Sequence, residues 1–94
     1  MNVLVAEEVV CTELPDDEAV LLHVGTRRIF RLNETGLFIW RMIAQGRPVA
    51  EIGREVEQTF GIPGAQATED VDELIGALIA EGLITKDQGA GDER

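Results

Sequence analysis

A change of hydrophobic period within ten residues constrains this chain more than any other feature. In Arg27-Arg28-Ile29-Phe30-Arg31-Leu32 the strand formers Ile29, Phe30 and Leu32 follow a turn signal at Gly25-Thr26. Asn33 is then a natural N-cap, and Glu34 falls at the positive end of a helix dipole. From there Gly36, Leu37, Trp40, Ile43 and Ala44 recur at three and four. Extended chain must therefore become helix around Asn33.

Before the switch the spacing is that of strands. Residues 3–11 are apolar and β-branched, interrupted by Glu7 and Glu8, and predict a first, irregular strand. Leu14-Pro15-Asp16-Asp17 is a turn, because proline fixes φ and aspartate favours turn geometry. Ala19 to Val24 is a continuous apolar run of strand length and predicts a central, buried strand. Gly25-Thr26 has the form of a two-residue type II′ hairpin turn that returns the chain into a third strand, Arg27–Leu32. The three runs predict an antiparallel meander with the second strand central, which leaves the third with an open edge.

After the switch the spacing is helical. Phe38, Ile39 and Met42 widen the apolar face of the first helix, Gly46 is a C-terminal stop and Pro48 an N1 start. Val49, Ile52, Val56 and Phe60 mark a second helix over about 48–60, broken by Gly61-Ile62-Pro63-Gly64. Thr68 predicts an N-cap with Glu69 and Asp70 in the first turn, and Val71, Leu74, Ile75, Leu78 and Ile79 a third amphipathic helix closed by Gly82. Leu83-Ile84 pack back or add a short extended piece. The domain thus spans 1–85, followed from Lys86 by a flexible acidic tail, 86–94. Strands followed by helices without alternation give an α+β class, a three-stranded antiparallel sheet and then three helices, which is also the inventory of a winged helix.

Composition removes several functions. The net charge of −10 argues against a nucleic-acid footprint. The third helix, the natural reader of a helix-turn-helix, carries Glu69, Asp70, Asp72, Glu73 and Glu81 with no Lys or Arg between Thr68 and Gly82. The break over about 61–67 also exceeds the 3–4-residue turn of that motif. A winged-helix transcriptional regulator, acting on DNA or through protein contacts, is therefore the second reading. No apolar run reaches the ~20 residues of a membrane span, no basic leader opens the chain, and the lone Cys11 makes no internal disulfide, so the chain is expected to be cytoplasmic. Arg27, Arg28, Arg31 and Arg41 form the one dense basic group, and a basic strand beside an acidic helix suits a zwitterionic partner better than a polyanion.

Catalytic constellations are lacking. His23 is the single histidine and lies in an apolar strand, where a hydrogen-bonded structural role is expected. Cys11 has no obvious thiolate-stabilising neighbour in sequence and reads as a small buried hydrophobe. One His and one Cys do not make a metal site. Acid pairs stand at turns and helix starts, and no Gly-rich phosphate loop follows a strand. The chain is expected to be a non-enzyme without cofactor or metal.

Val20-Leu21-Leu22, then Phe30-Arg31-Leu32-Asn33-Glu34-Thr35-Gly36, Ile39-Trp40, Gly46, Val49-Ala50-Glu51-Ile52, Asp70-Val71, Leu74, Leu78 and Gly82-Leu83-Ile84 together resemble the PqqD-like family. Those are recognition elements of ribosomally made, post-translationally modified peptide (RiPP) pathways, such as lasso peptide or PQQ biosynthesis. The resemblance runs from about Val20 to Ile84. It implies a winged-helix-like peptide chaperone that takes the leader peptide of a precursor as an added strand on its third strand, in a cleft closed by the third helix. A tailoring enzyme, whether radical-SAM maturase, leader peptidase or cyclase, then acts on the core segment. Physical reasoning agrees, since an unpaired edge is a template for β-augmentation.

The edge then comprises Arg27, Arg28, Ile29, Phe30, Arg31 and Leu32. Strand parity separates Phe30 and Leu32, assigned to the core, from Ile29 and Arg31, free to meet a ligand. On the third helix, Val71, Leu74 and Leu78 fit the core stripe, while Ile75 and Ile79 lie on its flank and line the cleft with Asp72, unless they merely widen the core. Trp40 is assigned to the core. The open edge leaves a homodimer among the alternatives, because free edges pair and swap.

Overall fold

The computed structural model describes residues 2–87. Asn33 makes the switch as its residue type requires: its Oδ1 accepts a hydrogen bond from the Gly36 N–H at 2.8 Å, capping the helix that follows. The chain runs through β1 (Asn2–Val5), β2 (Val9–Leu14), a 3₁₀ turn (Pro15–Asp17), β3 (Glu18–His23), β4 (Arg28–Leu32), α1 (Glu34–Ala44), α2 (Val49–Phe60), α3 (Gly64–Ala80) and β5 (Ile84–Asp87). β2, β3 and β4 form an antiparallel sheet with β3 central, and three helices follow. The class is α+β.

Several boundaries differ from the sequence expectation, each for a local reason. The first strand is two strands: Glu7 and Glu8 are exposed and turn the chain, and Ala6 N–H bonds Leu83 C=O, sending β1 to β5. β1 and β5 pair antiparallel as a separate ribbon, Val5 opposite Ile84 and Val3 opposite Lys86. The hairpin turn is not a two-residue II′ loop. Four residues, 24–27, connect β3 to β4, and the positive φ falls on Arg27 (63°) rather than on Gly25, so β4 starts at Arg28. α3 starts four residues before Thr68, with Pro63 as N-cap, because its first turn buries Ala67 completely. The break between α2 and α3 is therefore Gly61-Ile62-Pro63, and its length no longer argues against a helix-turn-helix; the acidic α3 still does. Pro48 is the N-cap of α2 rather than N1. Lys86 and Asp87 belong to β5, and the tail expected beyond them lies outside the described residues.

Gly46 and Gly82 both end helices at positive φ. After α3, Gly82 N–H bonds Ile79 C=O and Leu83 N–H bonds Leu78 C=O, the paired bonds of a Schellman motif. That turn drops Leu83 and Ile84 into the core. There they join Leu21, Leu37, Ile39, Ile52, Val56, Val71 and Leu78, all essentially inaccessible, with Val3 and Trp40 at the margin. An edge-to-face contact of Phe38 and Phe60, centroids 5.4 Å apart, ties α1 to the end of α2.

Candidate functional site

Hydrogen-bond parity identifies the outward main-chain groups of β4, one of the sheet's two edge strands. Val24 N–H bonds Glu8 C=O, and in an antiparallel sheet this alternation turns Leu22 and Val20 toward β2, and His23, Leu21 and Ala19 toward β4. Their partners Arg28, Phe30 and Leu32 therefore spend their main-chain groups inward. Ile29 and Arg31 point theirs away from the sheet. Among the described residues β4 pairs with β3 alone, and the two terminal strands pair with each other.

Side-chain parity divides the same strand between two faces. Phe30, half-buried, and Leu32, buried, turn toward the helices. Ile29, 66% exposed, and Arg31 turn to the outer face. Alongside β4 on the inner side runs a groove with two adjoining lobes of about 390 and 350 Å³. Both lobes include Asn33, Gly36 and Leu74; one extends to Asp70 and Glu73, the other to Phe30, Arg31 and Glu18. At the opposite end, Arg28 Nη1 meets Glu81 Oε1 at 2.8 Å, joining the start of β4 to the residue capping α3. α3 thus lies antiparallel to β4 as the groove's second wall. Asp70, Leu74, Ala77 and Glu81, spaced at four, three and four, share the face toward it.

The expected site residues fall into two groups. Phe30 and Leu32 line the groove from the inner face, Arg31 borders its second lobe although its side chain lies on the outer face, and Ile29 supplies edge backbone. Arg28 closes one end, and Arg27 lies in the preceding turn. The three on α3 are not brought to the groove beside β4. Ile75 is 4% exposed and belongs to the core, whereas Leu74, assigned to the core by spacing, is half-buried and lines both lobes. Asp72 lines a small cavity between α2 and α3 with Val49, Gly53 and Thr68. Ile79 packs against the core without lining either lobe. Asn33, Thr35 and Gly36, read from the sequence as parts of the strand-to-helix junction, also line the groove, and Asp70 and Glu73 bring the acidic side of the third helix to one end of it. Ala67 held the signal: a core stripe counted from it runs Ala67, Val71, Ile75, Leu78, which rotates Leu74 outward.

The arginines are largely answered within the chain. Arg28 pairs with Glu81, Arg31 with Glu18 at 3.1 Å, and Arg41 with Glu13. Hydrogen bonding to Glu81 and then its charge raise the Arg28 pKa above the usual guanidinium value, and Glu13 does the same chiefly by its hydrogen bond for Arg41. His23 Nδ1 accepts the Thr26 N–H at 3.2 Å and so fastens the turn. Burial first, and Glu13 second, push the Cys11 thiol up, against a smaller opposing effect of Arg41. Among the described residues no group of three or more His, Cys, Asp or Glu is placed to hold a metal, and no helix is long and apolar enough to cross a membrane.

Of the sheet's two outer strands, β2 and β4, it is β4 that has a helix-walled groove beside its unpaired edge, and such an edge is a scaffold that another chain's backbone can complete. The comparisons narrow that class. Residues 18–84 match the model of PqqD, described as coenzyme PQQ synthesis protein D, and the chain belongs to the PqqD family. Two solved structures share the fold. TbiB1 in complex with the TbiA(β) leader peptide is 27% identical at a TM-score of 0.80, over 95% of this chain and 99% of that one. A lasso peptide synthetase B1 complexed with the leader peptide is 17% identical at a TM-score of 0.81, over 92% of this chain and 100% of that one. This second likeness is one of fold. No curated protein matches the chain.

Proposed function

We infer that this chain binds the leader peptide of a ribosomally synthesised precursor as an added strand on β4 and presents it to a tailoring enzyme in a RiPP pathway. The observation that carries the reading is the free main chain of Ile29 and Arg31 beside the groove walled by α3, in a PqqD-family protein. TbiB1, 27% identical over nearly its whole length, was solved with a leader peptide. An added strand finds two main-chain positions at the edge and, on the inner side, lobes lined by Phe30, Leu32, Leu74, Asn33 and Gly36. Main-chain bonds supply sequence-tolerant affinity and the lobes supply selectivity. Asp70 and Glu73 favour a basic peptide residue at the Asn33 end.

Such a module contributes no bond-making of its own. Its effect is to raise the concentration of the precursor's core at a radical-SAM protein, peptidase or cyclase held nearby, which for short tethers reaches roughly millimolar. The reading places the chain in the cytoplasm, where precursors are made. DNA binding gains nothing from the acidic α3.

The test is titration of ¹⁵N-labelled chain with the TbiA(β) leader peptide and with overlapping synthetic peptides from precursor reading frames neighbouring the gene. Amide shifts are expected over 28–36 and along the α3 face of Asp70, Leu74, Ala77 and Glu81. Shifts confined to other surfaces, or none with any of these peptides, contradict the reading.

A further inference from the structure

The groove lies along the inner side of β4 and meets the outer face only at Arg31 and Glu18, which border one lobe. On the outer face the strand registers place Val10 opposite Leu22 and Leu22 opposite Ile29, so the three side chains form a single row across the sheet. They are 48%, 36% and 66% exposed, least on the central strand and most on β4. The next row is Thr12, Val20 and Arg31, and Arg31 is charged and exposed. Ile29 and Arg31 are also the two residues whose main-chain groups face outward from the edge. A strand joining there places one side chain beside Ile29 and another, two residues away, beside Arg31, both on the outer face.

We propose that the outer face of β4 reads the added strand at two alternate positions, requiring an apolar β-branched or aromatic residue beside Ile29 and a carboxylate beside Arg31. This rests on the strand-addition reading and extends it to the class of peptide taken. The apolar residue completes the row that Val10, Leu22 and Ile29 begin, burying the largest fraction of exposed apolar side chain on β4. The carboxylate meets an exposed guanidinium of which the Glu18 contact engages Nη2 alone, leaving its other N–H donors unused by that pair. A basic residue at that position would add a like charge beside Arg31, so the position discriminates by sign. The residue between the two points inward, opposite Phe30, and enters the groove. The ligand is therefore a segment whose outer positions alternate apolar and acidic while its inner position is read by the lobes.

The test is a selection of phage-displayed random dodecapeptides on the immobilised chain and on its Ile29→Lys and Arg31→Glu variants, both changes being at exposed positions, with folding checked by amide dispersion. From the unaltered chain, enriched peptides are expected to hold Val, Ile, Phe or Tyr two residues from Asp or Glu. Arg31→Glu is expected to exchange the acid for Lys or Arg, and Ile29→Lys to exchange the apolar residue for an acid. Each single change should weaken a peptide selected on the unaltered chain by about two- to fivefold, the scale of one cross-strand pair. Peptides that protect the Ile29 amide but are the same from all three proteins at these positions would overturn the two-position code and leave strand addition standing. Recovery of no binding peptide by the folded chain would overturn both. A free chain that dimerises in sedimentation, with Ile29→Lys dissolving the dimer and leaving peptide choice unchanged, would put a second copy on this face and overturn the code.

Discussion

Arg27 holds φ at 63° in the turn before β4, a conformation that costs a residue with a Cβ about 1–2 kcal/mol. Arg27→Gly removes that cost but adds freedom to the unfolded chain, an opposing effect of about 0.4–1 kcal/mol. The expected net result is a gain of about 0.5 kcal/mol in urea unfolding; a loss would mean that the arginine side chain holds the turn. Cys11 allows a second test. Burial keeps its thiol protonated to higher pH in the folded than in the unfolded chain. Alkylation at pH 8 should therefore be slower in the native protein than in urea. The sign for stability follows: the contribution is full below the unfolded thiol pKa and declines as pH rises through the higher folded value. Cys11→Ala should flatten the alkaline side of the stability profile, and an unchanged profile would contradict the assignment.

At the scale of elements, α3 carries the decisive contrast between neighbours. Ile75→Ala empties a buried site and should cost about 2–5 kcal/mol in urea unfolding. Leu74→Ala, at a half-buried position, should cost about 1 kcal/mol while weakening peptide binding. The reverse order of stability losses would restore the helical phase expected from spacing alone. Spacing left that phase open to misreading because the five apolar residues Val71, Leu74, Ile75, Leu78 and Ile79 fill an arc of about 140° at 3.6 residues per turn, with Leu74 and Ile79 at its two ends. Packing of Ala67 against the core chose among the rotations, and alanine gives little hydropathy signal. The helix start was misplaced for a related reason: Thr68 is a better N-cap by type than Pro63, but tertiary burial of the first turn outweighed capping preference. β4 and α1 were legible because Asn33 joins two unambiguous periods and its cap bond is local. The β1–β5 ribbon was not, since it joins residues at opposite ends of the chain.

For the whole molecule, the β1–β5 ribbon pairs the two terminal strands with each other and away from β4. Among the described residues the main sheet keeps its β4 edge unpaired beside the α3 groove. The high negative charge discourages adventitious binding of nucleic acid, and the arginines near the edge are balanced one by one by Glu81, Glu18 and Glu13. Under the proposed strand addition, recognition rests on backbone and shape with charge as a filter. The most direct measurement is residue-resolved hydrogen exchange of the Ile29 and Arg31 amides, in the free chain and with a peptide recovered by display. Strand addition predicts both amides fast in the free chain and both slowed together on binding, while Phe30, already bonded to β3, changes little. Slow exchange at Ile29 and Arg31 without peptide, or no slowing at either when the peptide is bound, would contradict the account.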